Sequence, residues 1–473
     1  MNRITLLPLL ISACFISTAV QASPVLIAVG TLRGTSDLSG LTGAMENGLS
    51  GNTLGGLGSG LAWAGGNTFL ATPDRGPNAT AYNSLVDDTT SYISRFQTLT
   101  LSLTANASSG LPYRLTPTLK ATTLLSSPTA LTYGSGVGLG VGNGAPVQNT
   151  VSVNFFTGRS DNFDPTANSL NSNNGRLDPE AIRVSRDGKS VFISDEYGPY
   201  VYQFDRATGQ RIRSFVLPAN LAVNNLSAQG GLEISGNTSG RVANKGMEGL
   251  AITPDGSMLV GIMQAPLGQD KNKMVRIVTI DVATGTLHEY AYQLTTGSGV
   301  SEIVALNNHQ FLIDERDGKG LGDGTSAVVK QLFRIDLAGA TEVVNLGASA
   351  ADQTALKNAA VKKTLVLDIV NVLNANGIAS SQIPSKIEGL AFGDDIDLNG
   401  VAAHTLYVAN DNDFVPGVAG DNKFYVFALT DADLGATFEQ QRIPEPESLS
   451  LVFLGLGLLG FMKRKKGSIS ATR

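Results

Sequence analysis

The sequence predicts an all-β chain folded as a β-propeller, and three observations predict it. A unit of two short apolar strands joined by a turn recurs five times, and four of its copies open with a glutamate. A third strand, and usually a fourth, follows each copy. An orphan strand near the N-terminus, Val25–Leu32, faces a last unit that lacks its fourth strand. Four antiparallel strands repeated along a chain make propeller blades. A strand supplied by the N-terminus would complete the last blade and leave no open sheet edge between the chain ends.

The units follow in order. The first runs through Ser59-Gly60-Leu61-Ala62-Trp63 and then Thr68-Phe69-Leu70-Ala71-Thr72-Pro73-Asp74-Arg75-Gly76. The second pairs Asp178-Pro179-Glu180-Ala181-Ile182 with residues 191–196 across the turn Arg186-Asp187-Gly188-Lys189. Strands over 200–206 and 211–217 follow it. The third pairs Met247-Glu248-Gly249-Leu250-Ala251 with Met258–Met263 across Pro254-Asp255-Gly256-Ser257, then continues with 274–282 and 287–294. Asp-Gly at these turns supplies the positive φ that a tight hairpin needs. The fourth unit joins Ser301-Glu302-Ile303-Val304-Ala305 to 311–316, followed by 331–337 and 341–346. The fifth joins Ile387-Glu388-Gly389-Leu390-Ala391 to 406–411, followed by 423–429. This count gives five four-stranded blades. A sixth sheet would form if 111–125 with 151–156, or 365–370, paired separately. Residues 126–176, rich in Gly, Asn and Ser, read as an insertion. Residues 349–363 and 371–385 read as a second one with some helix.

Both ends read as addresses. A basic start at Arg3, an apolar stretch over 4–20 and Val20-Gln21-Ala22 form a secretory signal peptide over 1–22, cut by signal peptidase. The single cysteine, Cys14, lies within it, so the mature body has no disulfide and no thiolate chemistry. At the other end, Pro444-Glu445-Pro446 precedes an apolar run over 449–462 and the basic cluster Lys463-Arg464-Lys465-Lys466. This triplet over 441–473 resembles the PEP-CTERM sorting signal. The resemblance implies inner-membrane anchoring by a short transmembrane helix, handling by an exosortase, and delivery to the cell-envelope surface or outside. The propeller itself is then 23–440.

Charge narrows the functions. Charged residues are only 16% of the chain, against a usual ~25%. Without the leader and the tail from residue 447, 28 cations face 39 anions, a net charge of −11. That excludes nucleic-acid binding through the phosphate backbone and suits a chain that gathers cations. In a propeller the first strand of each blade lines the axial channel, which brings Glu180, Glu248, Glu302 and Glu388 together. The ends of the second strands add Asp74, Asp195, Glu196, Asp314, Glu315, Asp411 and Asp413. Converging carboxylates need cations, and oxygen donors select Ca²⁺, with Mg²⁺ as the alternative, over zinc.

Basic residues are interleaved with them: Arg75, Arg183, Lys245, Arg316 and Lys386. Cations beside metal-binding carboxylates suit a phosphate ester. In that reading Glu248 is the catalytic carboxylate, and Arg75, Lys245 or Arg316 steadies developing charge. The plainer alternative is that an acidic residue at a blade start hydrogen-bonds the neighbouring blade's backbone. No G-x-S-x-G elbow and no phosphate-cradling loop in a strand-to-helix setting is present.

The repeated segments resemble the phytase-like family, known as esterase-like activity of phytase, over about residues 25–430. The carriers are Thr72-Pro73-Asp74-Arg75-Gly76, Asp178-Pro179-Glu180 with Ser194-Asp195-Glu196-Tyr197-Gly198, Asn244-Lys245-Gly246-Met247-Glu248-Gly249-Leu250, Ile313-Asp314-Glu315-Arg316-Asp317 and Lys386-Ile387-Glu388-Gly389-Leu390. The resemblance implies a propeller and a metal-dependent phosphomonoesterase. A non-catalytic surface propeller, stabilised by calcium and binding extracellular polymer or protein partners, is the alternative.

Overall fold

The computed structural model describes residues 23–78, 89–108, 110–136, 142–160, 171–198, 200–225 and 235–444. Five antiparallel sheets stand around one axis. Blade 1 is Gly60–Trp63, Thr68–Thr72, Arg95–Ala105 and Tyr113–Leu124. Blade 2 is Pro179–Val184, Ser190–Asp195, Tyr200–Asp205 and Arg211–Val216. Blade 3 is Met247–Ile252, Met258–Met263, Met274–Asp281 and Leu287–Gln293. Blade 4 is Gly299–Ala305, Gln310–Arg316, Lys330–Asp336 and Lys363–Asp368. Blade 5 is Lys386–Phe392, Val401–Asp411 and Asn422–Leu429, completed by Val25–Leu32. The N-terminal strand runs antiparallel to its partner, with Val25 opposite Ala428 and Leu32 opposite Asn422. The first strands of the blades neighbour one another in cyclic order, which closes a five-bladed propeller.

Burial follows from stacking blades face to face. Ser190–Asp195 is buried at every position, because both of its faces meet other blades. The outermost strand of the same blade, Arg211–Val216, buries only Phe215. Near the axis, space runs out. A Cβ at Gly249 would stand 2.8 Å from the Ile303 nitrogen, and one at Gly60 2.8 Å from that of Ile182. The glycines of the repeated unit therefore set how closely adjacent first strands approach.

Three local expectations differ from the fold. Residues 341–346 are not the fourth strand of blade 4; Lys363–Asp368 is. Arg276 of blade 3 donates to the carbonyls of Val343 (3.4 Å) and Leu346 (2.9 Å), and Glu289 accepts the Val343 N–H at its backbone carbonyl. These bonds draw the segment onto blade 3, so the chain returns to blade 4 only after the helix Ala350–Asn358. No sixth blade forms among the described residues. Tyr113–Leu124 is the outer strand of blade 1, and the insertion contributes only the two-residue pair Ser126–Ser127 and Asn154–Phe155. Finally, the folded body continues past residue 440. Gln441 donates to the Val184 carbonyl (2.8 Å), and Ile443 is buried against blade 2.

This C-terminal stretch is a strap across one mouth of the channel. The Glu439 N–H donates to the Leu306 carbonyl (2.7 Å), and Gln440 to that of Gly393 (2.9 Å). It therefore ties blades 4, 5 and 2 at the C-terminal ends of their first strands. The leader 1–22 and the apolar run 449–462 lie outside the described residues. Among the described residues no helix is long and apolar enough to cross a membrane.

Candidate functional site

Strand pairing places the acidic residues at the other mouth. A first strand begins where the antiparallel second strand ends, so Lys386 faces Asp411, Pro179 faces Asp195 and Gly299 faces Arg316. In blades 2 to 5 a bulge interrupts the register just where the repeated glutamate stands: between Pro179 and Ile182, Met247 and Gly249, Val300 and Glu302, and Ile387 and Leu390. Bulges re-aim side chains, and here they coincide with Glu180, Glu248, Glu302 and Glu388.

Two carboxylate triads result. In the first, oxygens of Asp178, Glu180 and Glu196 all lie within 4.8 Å of one another. Arg75 reaches Asp178 at 2.8 Å and Glu196 at 3.8 Å. The Arg75 N–H also donates to Asp178, and the Gly246 N–H to Glu196 (3.0 Å). Glu180 is 8% exposed and has no hydrogen-bond or cation partner among the described residues. In the second triad, oxygens of Asp74, Asp411 and Asp413 likewise lie within 4.8 Å of one another. The Lys386 ammonium stands 2.9 Å from Asp411 and 2.5 Å from Asp413.

Arg316 spans the remaining glutamates, at 2.5 Å from Glu388 and 3.7 Å from Glu248. Gln264 donates to one Glu248 oxygen (2.8 Å), and the other is buried without a hydrogen-bond partner. The Arg75 Nε–H is likewise unspent.

Burial dominates the electrostatics. It pushes Glu196 up to about 8, with Asp178 adding repulsion and Arg75 opposing. It pushes Asp74 up to about 7 against the pull of Lys386 and Arg75. Glu180 is held well above the carboxylate range by burial and then by Glu248, Asp178 and Glu196. Glu248 is raised in the same way, by burial and then by Glu196 and Glu388. Burial works against the Arg75 and Lys386 charges, yet the surrounding carboxylates more than offset it and hold both in the cationic form. A mouth with this many desolvated carboxylates favours a further positive charge.

Other expected site residues have different settings. Glu302 lies deeper, where it accepts the N–H groups of Leu250 (3.1 Å) and Ile303 (2.9 Å). Its partner Arg183 (2.9 Å) reaches across the axis to the carbonyls of Leu61 (2.6 Å) and Ile303 (2.9 Å). That spoke joins blades 1, 2 and 4 and floors the acidic mouth, so Arg183 is spent on structure. Between it and the strap is a cavity of about 60 Å³. Asp195 accepts the N–H groups of Asp178 and Tyr197, both at 3.0 Å. Asp314 is fully buried, with neither oxygen hydrogen-bonded. Glu315 faces away, toward Lys363, Tyr292 and the N–H groups of residues 295–297. Lys245 is exposed on the turn before Gly246.

The repeat pattern did not single out Asp178 or Gln264 as site residues. Asp178 occurs at its place in one unit only. Gln264 directly follows the second strand of blade 3, where other blades carry acids. Its signal was the break in that acidic series.

The family described as phytase-like, esterase-like activity of phytase, has a model that matches residues 52–414. The chain belongs to the phytase-like family. An uncharacterized secreted protein of Arthroderma benhamiae is 30% identical over a stretch covering 30% of this chain and 34% of that protein. The match thus spans about a third of that relative. Among solved structures, Kuenenia stuttgartiensis hydrazine synthase aligns with 77% of this chain and 79% of its own, at 11% identity and a TM-score of 0.31. Saccharomyces cerevisiae Sqt1 aligns over 78% and 72%, at 8% identity and a TM-score of 0.29.

Proposed function

We propose that this phytase-like propeller is an exported, divalent-metal-dependent phosphomonoesterase. The observation that carries the proposal is the Asp178–Glu180–Glu196 triad, whose Glu180 is nine-tenths buried with no cation to answer it, beside an arginine with an unspent donor. Membership of a family described by esterase-like activity agrees with a hydrolytic role. Hard carboxylate oxygens suit Ca²⁺, with Mg²⁺ as the smaller alternative.

A bound divalent ion supplies charge to draw in phosphate oxygens and to acidify water. The chain's residues supply the rest. Arg75 adds positive charge beside the ion site, and Lys245, exposed at the rim, adds another. Gln264 fixes one Glu248 oxygen, and the other, buried without a hydrogen-bond partner, is the proposed acceptor of a water proton once a bound cation offsets the burial and neighbouring carboxylates that raise Glu248. The water oxygen then bonds to phosphorus, the P–O ester bond breaks, and the departing oxygen collects a proton from solvent. Arg316 keeps Glu248 and Glu388 in place, and the Arg183 floor makes this mouth the way in and out.

Export is supported by the leader over 1–22 and by the secreted relative. The tail that resembles PEP-CTERM adds exosortase handling, with cleavage near Pro444-Glu445-Pro446. Intact mass of the protein from its native host checks this. A mature form still carrying Lys463–Lys466 contradicts it.

One observation favours the non-catalytic reading: Asp74, Asp178, Asp195 and Glu196 each accept a backbone N–H. In that case calcium braces the ring, and the surface binds polymer or protein. Phosphate release from phytate and from an aryl phosphate, with Ca²⁺ and with chelator, separates the two. Calcium-dependent melting without turnover selects the second.

A further inference from the structure

We propose that the acidic mouth takes one divalent cation, held by Asp178, Glu180 and Glu196, and that the Lys386 ammonium is a built-in cation filling the second triad in place of another ion. This rests on the metal reading above and adds the ion count and the triad used.

The two triads offer equal numbers of carboxylates, with oxygens in each within 4.8 Å of one another. They differ in what already fills them. Lys386 opens the first strand of blade 5 directly opposite Asp411, so strand register delivers its ammonium to the Asp74–Asp411–Asp413 cluster. It bonds two of the three carboxylates, at 2.9 and 2.5 Å. The Asp413 N–H donates to Asp411 (2.8 Å) and the Gly76 N–H to Asp74 (2.9 Å). Every carboxylate of that triad thus has a donor.

In the first triad Arg75 pairs closely with Asp178 (2.8 Å), only at 3.8 Å with Glu196, and not with Glu180. Arg75 is held by Asp178, through both its side chain and its backbone N–H, and by Asn244. Glu180 receives nothing, although Asp178, Glu196 and the charge of Glu248 all bear on it. A buried carboxylate facing other carboxylates without a donor is the vacancy in charge that a metal ion answers.

The same chain uses an ammonium this way elsewhere. In blade 4 the fully buried Lys330 is enclosed by the Asp317 carbonyl (2.7 Å), the Asp317 carboxylate (2.8 Å) and the Lys319 carbonyl (3.1 Å). Three oxygens of one Gly-rich loop close on a lysine as they would on a metal.

The test is calcium titration of the purified protein by calorimetry, with native mass spectrometry for the count. The wild-type chain should bind one Ca²⁺. Glu180→Gln should weaken that binding by more than about tenfold, since even outer-shell partners of a metal carry 10- to 100-fold. Lys386→Met, which empties the second triad, should raise the count to two. Two ions in the wild-type chain, or an unchanged count in a folded Lys386→Met chain, would overturn the proposal and leave the metal reading standing. No ion in the wild-type chain would overturn both. The wild-type count needs no variant, so a misfolded Lys386→Met chain still leaves a decisive measurement.

Discussion

Replacing Glu180 with glutamine should make the metal-free protein more stable while weakening its response to calcium. The reasoning starts from distance. Two carboxylates, Asp178 and Glu196, have oxygens within 4.8 Å of a Glu180 oxygen. At an effective dielectric of about 20, each such repulsion between full charges is about 3.5 kcal/mol. The fold does not bear all of it, because Glu180 can take up a proton and Arg75 partly neutralises both neighbours. A net relief of about 1–3 kcal/mol at pH 7.5 is reasonable, given that a proton must otherwise be held well above the carboxylate range. At roughly 2 °C per kcal/mol for a domain this large, Glu180→Gln should melt about 2–6 °C above wild type in chelator. In calcium the order should close or reverse. An ion at 100 times its Kd stabilises the wild-type chain by about 2.7 kcal/mol, whereas a variant with affinity weakened more than tenfold gains less than about 1.4 kcal/mol. Paired thermal melts in EDTA and in CaCl₂ read both effects. A variant that melts lower in EDTA, or that keeps the full calcium increment, refutes the reasoning.

Three further outcomes are expected. The metal-free protein should lose stability as pH rises from about 4 to about 8: Asp74 and Asp195 are raised to about 7 and Glu196 to about 8, so the folded chain holds protons that the unfolded chain has released. Denaturant melts at several pH values should show that slope in EDTA and a flatter one in calcium. Glu248→Gln should cut phosphate release by at least about 100-fold with a near-unchanged melting temperature, the signature of a lost proton acceptor. Deleting residues 23–33 should open blade 5, which loses its outer strand and the buried Leu26, Ile27 and Ala28; a truncated chain melting like its parent would contradict ring closure.

The ring was legible because its signals are local. Each first strand carries its glutamate or serine and a small residue or isoleucine next to it, and each hairpin turn that binds two strands announces itself with Asp-Gly or a similar pair. The N-terminal strand was readable as the missing partner because an edge must be closed. The fourth strand of blade 4 was not readable, since 341–346 and 363–368 are both strand-like and only the contacts of Arg276 and Glu289 with blade 3 decide between them. At the site, the repeat put acids at one mouth but could not divide them. Glu315 and Asp314 are neighbours in sequence, yet alternation along the strand sends Glu315 to Lys363 and leaves Asp314 on the opposite face. Arg183 looked like a phosphate ligand and instead braces the axis. Lys386 and Arg75 looked equivalent, and only distance separates them: Lys386 lies within 2.9 Å of two carboxylates of its triad, whereas Arg75 lies 2.8 Å from one and 3.8 Å from another.

The decisive measurement is inorganic phosphate released by the purified protein from phytate and from p-nitrophenyl phosphate, assayed with CaCl₂ and with EDTA beside the Glu248→Gln chain. Release that requires the metal and disappears in the variant is the expected result. Release that persists in both EDTA and the variant, or no release from either ester by a protein that demonstrably binds calcium, would contradict the phosphomonoesterase reading.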